Sequence, residues 1–220
     1  MAPKFQSIVL DIDSTLSEIE GIDWLAAQRG EEIRAQVAES TKRAMRGEIS
    51  IASVFGSRLA LVAPSRDEIA KLGEEYVARV QFDAKRSLAI LTSAGVRIVL
   101  VSAGLYEAVL PLAHHLGISD ADVHAVHVHF TNEGAYAGFD EDSPVTRNGG
   151  KAVVVRSLAL EHLILGVGDG ITDLETRIAN PPAVDAFAAY TGVVTRKQVV
   201  NRADYVIQNF EELLAIALAD

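Results

Sequence analysis

The chain has 220 residues, 49 % of them hydrophobic, and a formal charge of −10 from 30 acidic and 20 basic side chains. That length suits one large domain or a core with an insertion, and the acidity argues against non-specific binding to nucleic acid. With no cysteine, disulfides, thiolate metal sites and a Cys nucleophile are excluded, as fits a cytoplasmic protein; no apolar stretch approaches the roughly 20 residues of a membrane helix, and no signal peptide is apparent.

The first element is Ser7-Ile8-Val9-Leu10, a short apolar run bounded by polar residues, which predicts a central strand of a parallel sheet. It delivers Asp11-Ile12-Asp13-Ser14-Thr15. Open α/β sheets bind ligands at the carboxyl ends of their strands, and Asp11 and Asp13 share a parity that brings both out on one side. The alternative is a polar strand end followed by a helix N-cap at Ser14 or Thr15. From about Glu18 to Val80 the pattern turns helical. Ile22, Trp24 and Leu25 are followed by Ile33, Val37, Thr41, Ala44 and Met45. After a break at Gly47 come Ile51, Val54, Phe55 and Leu59, and then Ile69, Leu72, Tyr76 and Val80 behind a Pro64-Ser65 turn. Four short helices over residues 17–83 read as a helical bundle inserted into an α/β core made of residues 1–16 and 84–220.

A helix over Ala84–Ser93, closed by Ala94-Gly95, precedes a second buried strand over Arg97–Val101 that ends at Ser102-Ala103-Gly104. Tyr106–His115 is a helix stopped by Gly117, and Val123–Phe139 reads as a hairpin turning at Asn132-Glu133-Gly134. Asn148-Gly149-Gly150-Lys151 opens a helix through Leu160. Leu163–Val167 is a third buried strand, ending at Gly168-Asp169-Gly170-Ile171-Thr172-Asp173. Ala183–Phe187 and Asp204–Ile207 are further strands, and Phe210–Ala219 is a closing helix. The fold class is therefore α/β, a mostly parallel open sheet with helices on both faces plus the helical insert, and three strands end in polar turns along one edge.

Asp11, Asp13, Asp169 and Asp173 thus meet near one point. Like charges about 4 Å apart repel by roughly 4 kcal/mol at an effective dielectric near 20, so the cluster calls for a cation. An all-oxygen set selects Mg²⁺ or Ca²⁺, and a partly hydrated Mg²⁺ shared with a substrate phosphate suits it. Lys151 adds positive charge, and Ser102 with the backbone N–H groups after it offers an anion site. Together they describe phosphoryl transfer. Without cysteine, a carboxylate is the available nucleophile: Asp11 would attack phosphorus, and Asp13 would protonate the leaving alkoxide and then activate water. Acidic neighbours would raise the pKa of Asp13 as that role requires.

Asp11-Ile12-Asp13-Ser14-Thr15, Ser102, Lys151 and Gly168–Asp173 resemble the four motifs of the haloacid-dehalogenase-like superfamily, in order. Glu20-Gly21-Ile22-Asp23, Ala44-Met45-Arg46-Gly47, Arg58–Val62, Pro64-Ser65-Arg66, Tyr136–Asp140, Gly149-Gly150-Lys151 and Pro182–Phe187 extend the resemblance to the phosphoserine phosphatases within it, over residues of about 5 to 215. The resemblance implies an Mg²⁺-dependent phosphomonoesterase with an aspartyl-phosphate intermediate, acting on a small phosphorylated metabolite as monomer or homodimer. It implies Mg²⁺ between Asp11, the Asp13 backbone carbonyl and Asp169, with Asp173 orienting the metal's water. Ser102, Gly104 and Lys151 would hold the phosphate, Glu20 the substrate ammonium, and Arg58, from the capping helices, its carboxylate. Thr172 would reach the phosphate or merely cap the next helix.

Three positions depart from the family pattern: Ala103 replaces a glycine, Ile51 a cap phenylalanine and Val126 an asparagine. They bear on the leaving group and not on the phosphoryl chemistry, so the runner-up function is a phosphatase or phosphotransferase for another small metabolite. A dehalogenase has no need of Asp13, and a non-catalytic phosphate-binding module has no use for a nucleophile. His124, His127 and His129 read as solvated hairpin residues rather than metal ligands, and Trp24 as packing for the helical insert.

Overall fold

A computed structural model describes residues 3–45, 48, 49 and 51–218, apart from the side chains of residues 45 and 51–53. The expected break at Gly47 and the match at Arg46 lie outside the described residues, as do the side chains of Met45 and Ile51.

Strand β1 (Ser7–Leu10) is buried along its length and sits between β2 (Arg97–Leu105) and β6 (Ile164–Gly168), parallel to both. With β3 (Val123–Val126), β7 (Ala186–Tyr190) and β8 (Tyr205–Ile207) they form a six-stranded parallel sheet in the order β3-β2-β1-β6-β7-β8. Strand order runs one way from β1 to β3 and the other way from β6 to β8. Right-handed crossovers therefore place the helices of the two halves on opposite faces. Accordingly α5 (Ala84–Ser93) packs with α6 (Tyr106–Leu116) and α10 (Phe210–Ala217), while α7 (Gly150–Ser157) packs with α8 (Ile171–Ile178). The reversal of order falls between β1 and β6, and a crevice opens at such a switch point.

Helices α1 (Gly21–Ala27), α2 (Glu31–Met45), α3 (Ile51–Val62) and α4 (Arg66–Ala78) follow β1 in succession, as the periodicity predicts. Their entry and exit segments lie side by side, with Glu18 N–H donating to Arg79 O (3.1 Å) and Gln81 N–H to Leu16 O (2.9 Å). Helix α4 begins in a capping box between Ser65 and Glu68 and packs on α6, where a side chain in place of Gly73 would meet Pro111 at 2.9 Å. That close approach points the buried Tyr76 at the end of β1. Asp83 precedes α5 without capping it; its carboxylate instead accepts the Phe210 and Glu211 N–H groups that open α10.

Several expectations need correction. β2 continues to Leu105 through a register shift after Val101, so Ser102-Ala103-Gly104 is irregular strand, not a turn at a helix start. Val123–Val126 joins the main sheet, and the hairpin is confined to β4 (Val128–Phe130) and β5 (Tyr136–Phe139). Helix α7 stops at Ser157, short of Leu160, and β7 starts at Ala186 because Ala183 and Val184 donate their N–H groups to Thr176 O. A short helix, α9 (Lys197–Val200), follows β7 where none was expected.

Candidate active site

The strand ends bring the predicted acids together. Asp11, Asp169 and Asp173 are all buried, and one carboxylate oxygen of each lies within 4.8 Å of the others. Lys151, at the start of α7, reaches between two of them, with Nζ 2.7 Å from Asp11 Oδ1 and 2.6 Å from Asp173 Oδ1. Burial alone would lower its pKa, but Asp11 and Asp173 outweigh burial and raise it. Asp173 is pushed up to about 7, by burial first and then by Asp11, against the opposing pull of Lys151. Asp169 stands well above the carboxylate range for the same reason, burial, with Glu20 and Asp173 adding to it. The turn is built tightly: a side chain at Gly168 would meet Asp173 Cγ at 2.2 Å, and Gly170 N–H donates to Asp173 Oδ2 (2.9 Å).

Asp13 lies across from this group. No helix starts at Ser14 or Thr15, so the N-cap alternative fails. Ser14 has φ of 53° and gives its hydroxyl proton to Glu20 Oε1 (2.7 Å), and Thr15 donates to Asp169 Oδ1 (3.3 Å). The chain bends back so that Gly21 N–H and the Tyr76 hydroxyl both donate to Asp13 Oδ1, at 3.3 and 2.5 Å. Only glycine fits there, since a Cβ at position 21 would stand 2.2 Å from the Tyr76 oxygen. The pKa of Asp13 is raised well above the usual range by burial, then by Glu20, with Asp11 a smaller contributor. Glu20 occupies the N-cap position of α1 without capping it, its carboxylate turning to Ser14 instead.

A cavity of about 40 Å³ lies among these groups, lined by Asp11, Asp13, Glu20, Ser102, Ala103, Lys151, Asp169, Gly170, Thr172 and Arg196. Ser102 is buried, and its hydroxyl accepts the N–H of Gly104 (3.0 Å). That N–H is thus engaged by the chain itself and not offered to an anion, and Gly104 does not line the cavity. Arg58 also stands back from it, buried in the helical segment, with Nη1 on the Thr41 hydroxyl. Val126 is fully buried at the sheet edge opposite Leu105, outside the lining of the acidic cavity. The histidines do not line it: His127 pairs with Glu107 at 2.9 Å and packs on Tyr106, and His124, expected as a solvated hairpin residue, is half-buried on β3 of the main sheet. A larger cleft of about 430 Å³, between α3 and the hairpin, has aromatic walls from Phe55, Tyr136 and Phe139, and none of the acids reaches it.

The donor set fits a hard cation. Three buried carboxylates share one ammonium and one guanidinium, two of them carry strongly raised pKa values, and all available donors are oxygen.

A family model described as haloacid dehalogenase-like hydrolase matches residues 8–176. The chain belongs to the haloacid dehalogenase-like hydrolase family. Within it the hydrolase is phosphoserine phosphatase-like. It is 39 % identical to the phosphoserine phosphatase of Mus musculus over 211 residues, 94 % of this chain and 91 % of that protein. Identity to the phosphoserine phosphatase of Homo sapiens is 37 % over the same shares. A crystal structure of a phosphoserine phosphohydrolase-like protein from Francisella tularensis superposes with a TM-score of 0.86 at 24 % identity, covering 96 % of this chain and 99 % of that one.

Three residues that shape the site escape the motif reading. Arg196, just before α9, donates from Nε to Asp169 Oδ2 (2.8 Å) and stands 3.6 Å from Glu20. It lies in a polar stretch without periodicity, where nothing in the sequence marks it. Tyr76 occupies a position that reads as core in its apolar stripe, and it is buried; only the fold shows its hydroxyl on Asp13. Glu175 accepts the N–H of Gly149 (2.6 Å), tying the helix that carries Asp173 to the turn that presents Lys151. Its place two residues after Asp173 was an available signal.

Proposed function

We propose that this phosphoric monoester hydrolase acts on O-phosphoserine, through an aspartyl-phosphate on Asp11. The reading is carried by the contrast between two carboxyl groups two residues apart: Asp11 is ion-paired with Lys151, while Asp13 is held by burial and Glu20 in a proton-bearing range. A carboxylate paired with an ammonium is placed to attack, and one that keeps its proton is placed to donate it. The near full-length similarity to phosphoserine phosphatases supports the choice of substrate.

Asp11 attacks phosphorus, and the bond from phosphorus to the serine oxygen breaks. Asp13 gives its proton to that oxygen, releasing serine. Asp13, now a carboxylate, takes a proton from water as the water attacks phosphorus, and inorganic phosphate leaves Asp11 free. Lys151 and Ser102 hold the phosphoryl oxygens, with Thr172 beside them, and Tyr76 orients Asp13. Glu20 receives the substrate ammonium, and Arg58 forks onto its carboxylate. The Asp11 carboxylate, the Asp13 carbonyl and Asp169 would hold Mg²⁺, with Asp173 orienting its water, and the ion would neutralise charge on the phosphoryl oxygens. Residues 17–83 act as a cap on a core of residues 1–16 and 84–220. A cavity of about 40 Å³ holds little more than water, so the segments near Ser14–Glu18 and Val80–Ala84 hinge to admit substrate.

The test is phosphate release across a panel of phosphate esters, scored by kcat/KM. O-Phosphoserine should lead the panel, EDTA should abolish turnover, and Asp11→Asn should lower kcat by at least about 10³-fold. Near wild-type turnover by Asp11→Asn would refute the covalent route, and a different leading ester would transfer the assignment to another small metabolite.

A further inference from the structure

Arg58 is only 7 % exposed. A guanidinium taken out of water is costly unless its N–H groups are met. Its Nη1 donates to Thr41 Oγ1 at 2.7 Å, while its Nε is buried and donates to nothing among the described residues. Thr41 is itself buried, on α2, and its oxygen also lies 3.0 Å from Val37 O and 3.2 Å from Asp23 Oδ1. A hydroxyl has one proton to give. Here both remaining neighbours are acceptors, so the proton goes to Val37 or Asp23 and a lone pair is left facing Arg58. Either choice presents the same acceptor to the guanidinium, which is thereby gripped at one corner of its fork with its Nε left over.

We propose that Thr41 is the positioning residue for substrate selection: it anchors Arg58 by Nη1 so that the rest of the guanidinium fork is reserved for a carboxylate on the phosphate ester. Nothing in the motifs points to Thr41, which the sequence pattern places simply on the apolar stripe of its helix. Arg58 on α3 and Asp23 on α1 are joined through it, so one hydroxyl sets the guanidinium against two other helices of the same bundle. The hydroxyl that holds the corner is neutral, and Asp23 on its other side opposes the burial that weakens the Arg58 cation. The inference rests on the reading of Arg58 as the carboxylate receptor.

Steady-state kinetics on two substrates tests it: O-phosphoserine, and O-phosphoethanolamine, which keeps phosphate and ammonium and lacks the carboxylate. Thr41→Val should raise KM for O-phosphoserine about tenfold, the worth of one hydrogen bond to a charged group, with kcat within about twofold. KM for O-phosphoethanolamine should stay put, and Thr41→Ser should restore the wild-type values. An unchanged KM for O-phosphoserine, or an equal rise for both substrates, overturns the proposal. If Thr41→Val does not fold, Thr41→Ala removes the same oxygen and is judged by the same outcomes. Arg58→Ala separates this failure from failure of the underlying reading. If it does not raise KM selectively for O-phosphoserine, Arg58 is not the receptor. If it does while Thr41→Val does not, only the role of Thr41 falls.

Discussion

Two sets of carboxylates in this chain behave in opposite ways. At the strand ends, Asp13, Asp169 and Asp173 all have raised pKa values because burial penalises their charge and the other acids add repulsion. Away from the crevice, Asp185 and Asp204 are drawn down by hydrogen bonds that outweigh burial, and Glu68 on α4 is drawn down to about 2, chiefly by its hydrogen bond to Arg29 and by the Ser65 cap. The first set is held against its own preference and the second is at rest. Acids forced upward at a crevice mark chemistry, and an acid drawn downward beside an arginine on a helix end marks structure.

The largest effect that would break this contrast is at Lys151. Its ammonium is the counter-charge for Asp11 and Asp173, and all three side chains are nearly closed to solvent. Lys151→Met leaves two buried acids facing each other. Activity should fall by about 10²- to 10³-fold, as when a preorganised electrostatic group is removed. Urea denaturation in EDTA should show a loss of about 3–5 kcal/mol, the usual result of removing one partner from a buried pair. The loss should shrink at lower pH. Asp173 is already pushed up to about 7 against the pull of Lys151; without that ammonium it goes higher still, so the variant takes up its proton at higher pH than the wild type and regains stability relative to it as pH falls toward about 7. A pH-independent loss would mean that Lys151 serves packing and not charge.

Tyr76→Phe sharpens the contrast within the first set. The hydroxyl donates to Asp13 and, by favouring the carboxylate, works against the burial that raises its pKa. Removing it leaves Asp13 still harder to ionise. The acid step needs the proton on Asp13, so the alkaline limb of the kcat profile should move to higher pH. The maximum should drop by about tenfold, because the acid loses its orientation. An alkaline limb that moves downward would contradict the assignment of that limb to Asp13.

The two sets were also unequally legible. Asp11, Asp13, Lys151, Asp169 and Asp173 could be read from sequence because each follows a short buried strand or a glycine turn, features whose signals are local. The mostly parallel sheet follows from strand–helix alternation, and the four helices of the insert from their apolar periods, but the strand order that sets β1 beside β6 came only with the structure. What stayed hidden depends on contacts between distant segments. Tyr76 sits on an apolar stripe where a phenol looks like packing, and Arg196 sits in a stretch with no pattern. The irregular end of β2 was missed because a register shift has no compositional mark. Val126 departs from the family pattern in sequence, and the chain buries it in the sheet edge opposite Leu105, outside the lining of the acidic cavity.

The smallest predicted effect lies in the second set. Glu68 closes the Ser65 capping box and receives Arg29 Nη1 and Nη2 at 2.5 and 2.7 Å, yet both side chains keep about a quarter of their surface in water. Solvent screens such a pair, so Glu68→Ala should cost about 1 kcal/mol, most of it from the cap. Its folded pKa is depressed, so the stability it adds is present above about 4.5 and is lost as pH falls toward about 2. Wild type and Glu68→Ala should therefore differ in denaturation midpoint at pH 7 and converge in acid, with kcat on O-phosphoserine unchanged throughout. A fall in kcat at pH 7 would show that this end of α4 is coupled through Tyr76 to Asp13, and the division between acids that work and acids that only hold the fold would have to be redrawn along that helix.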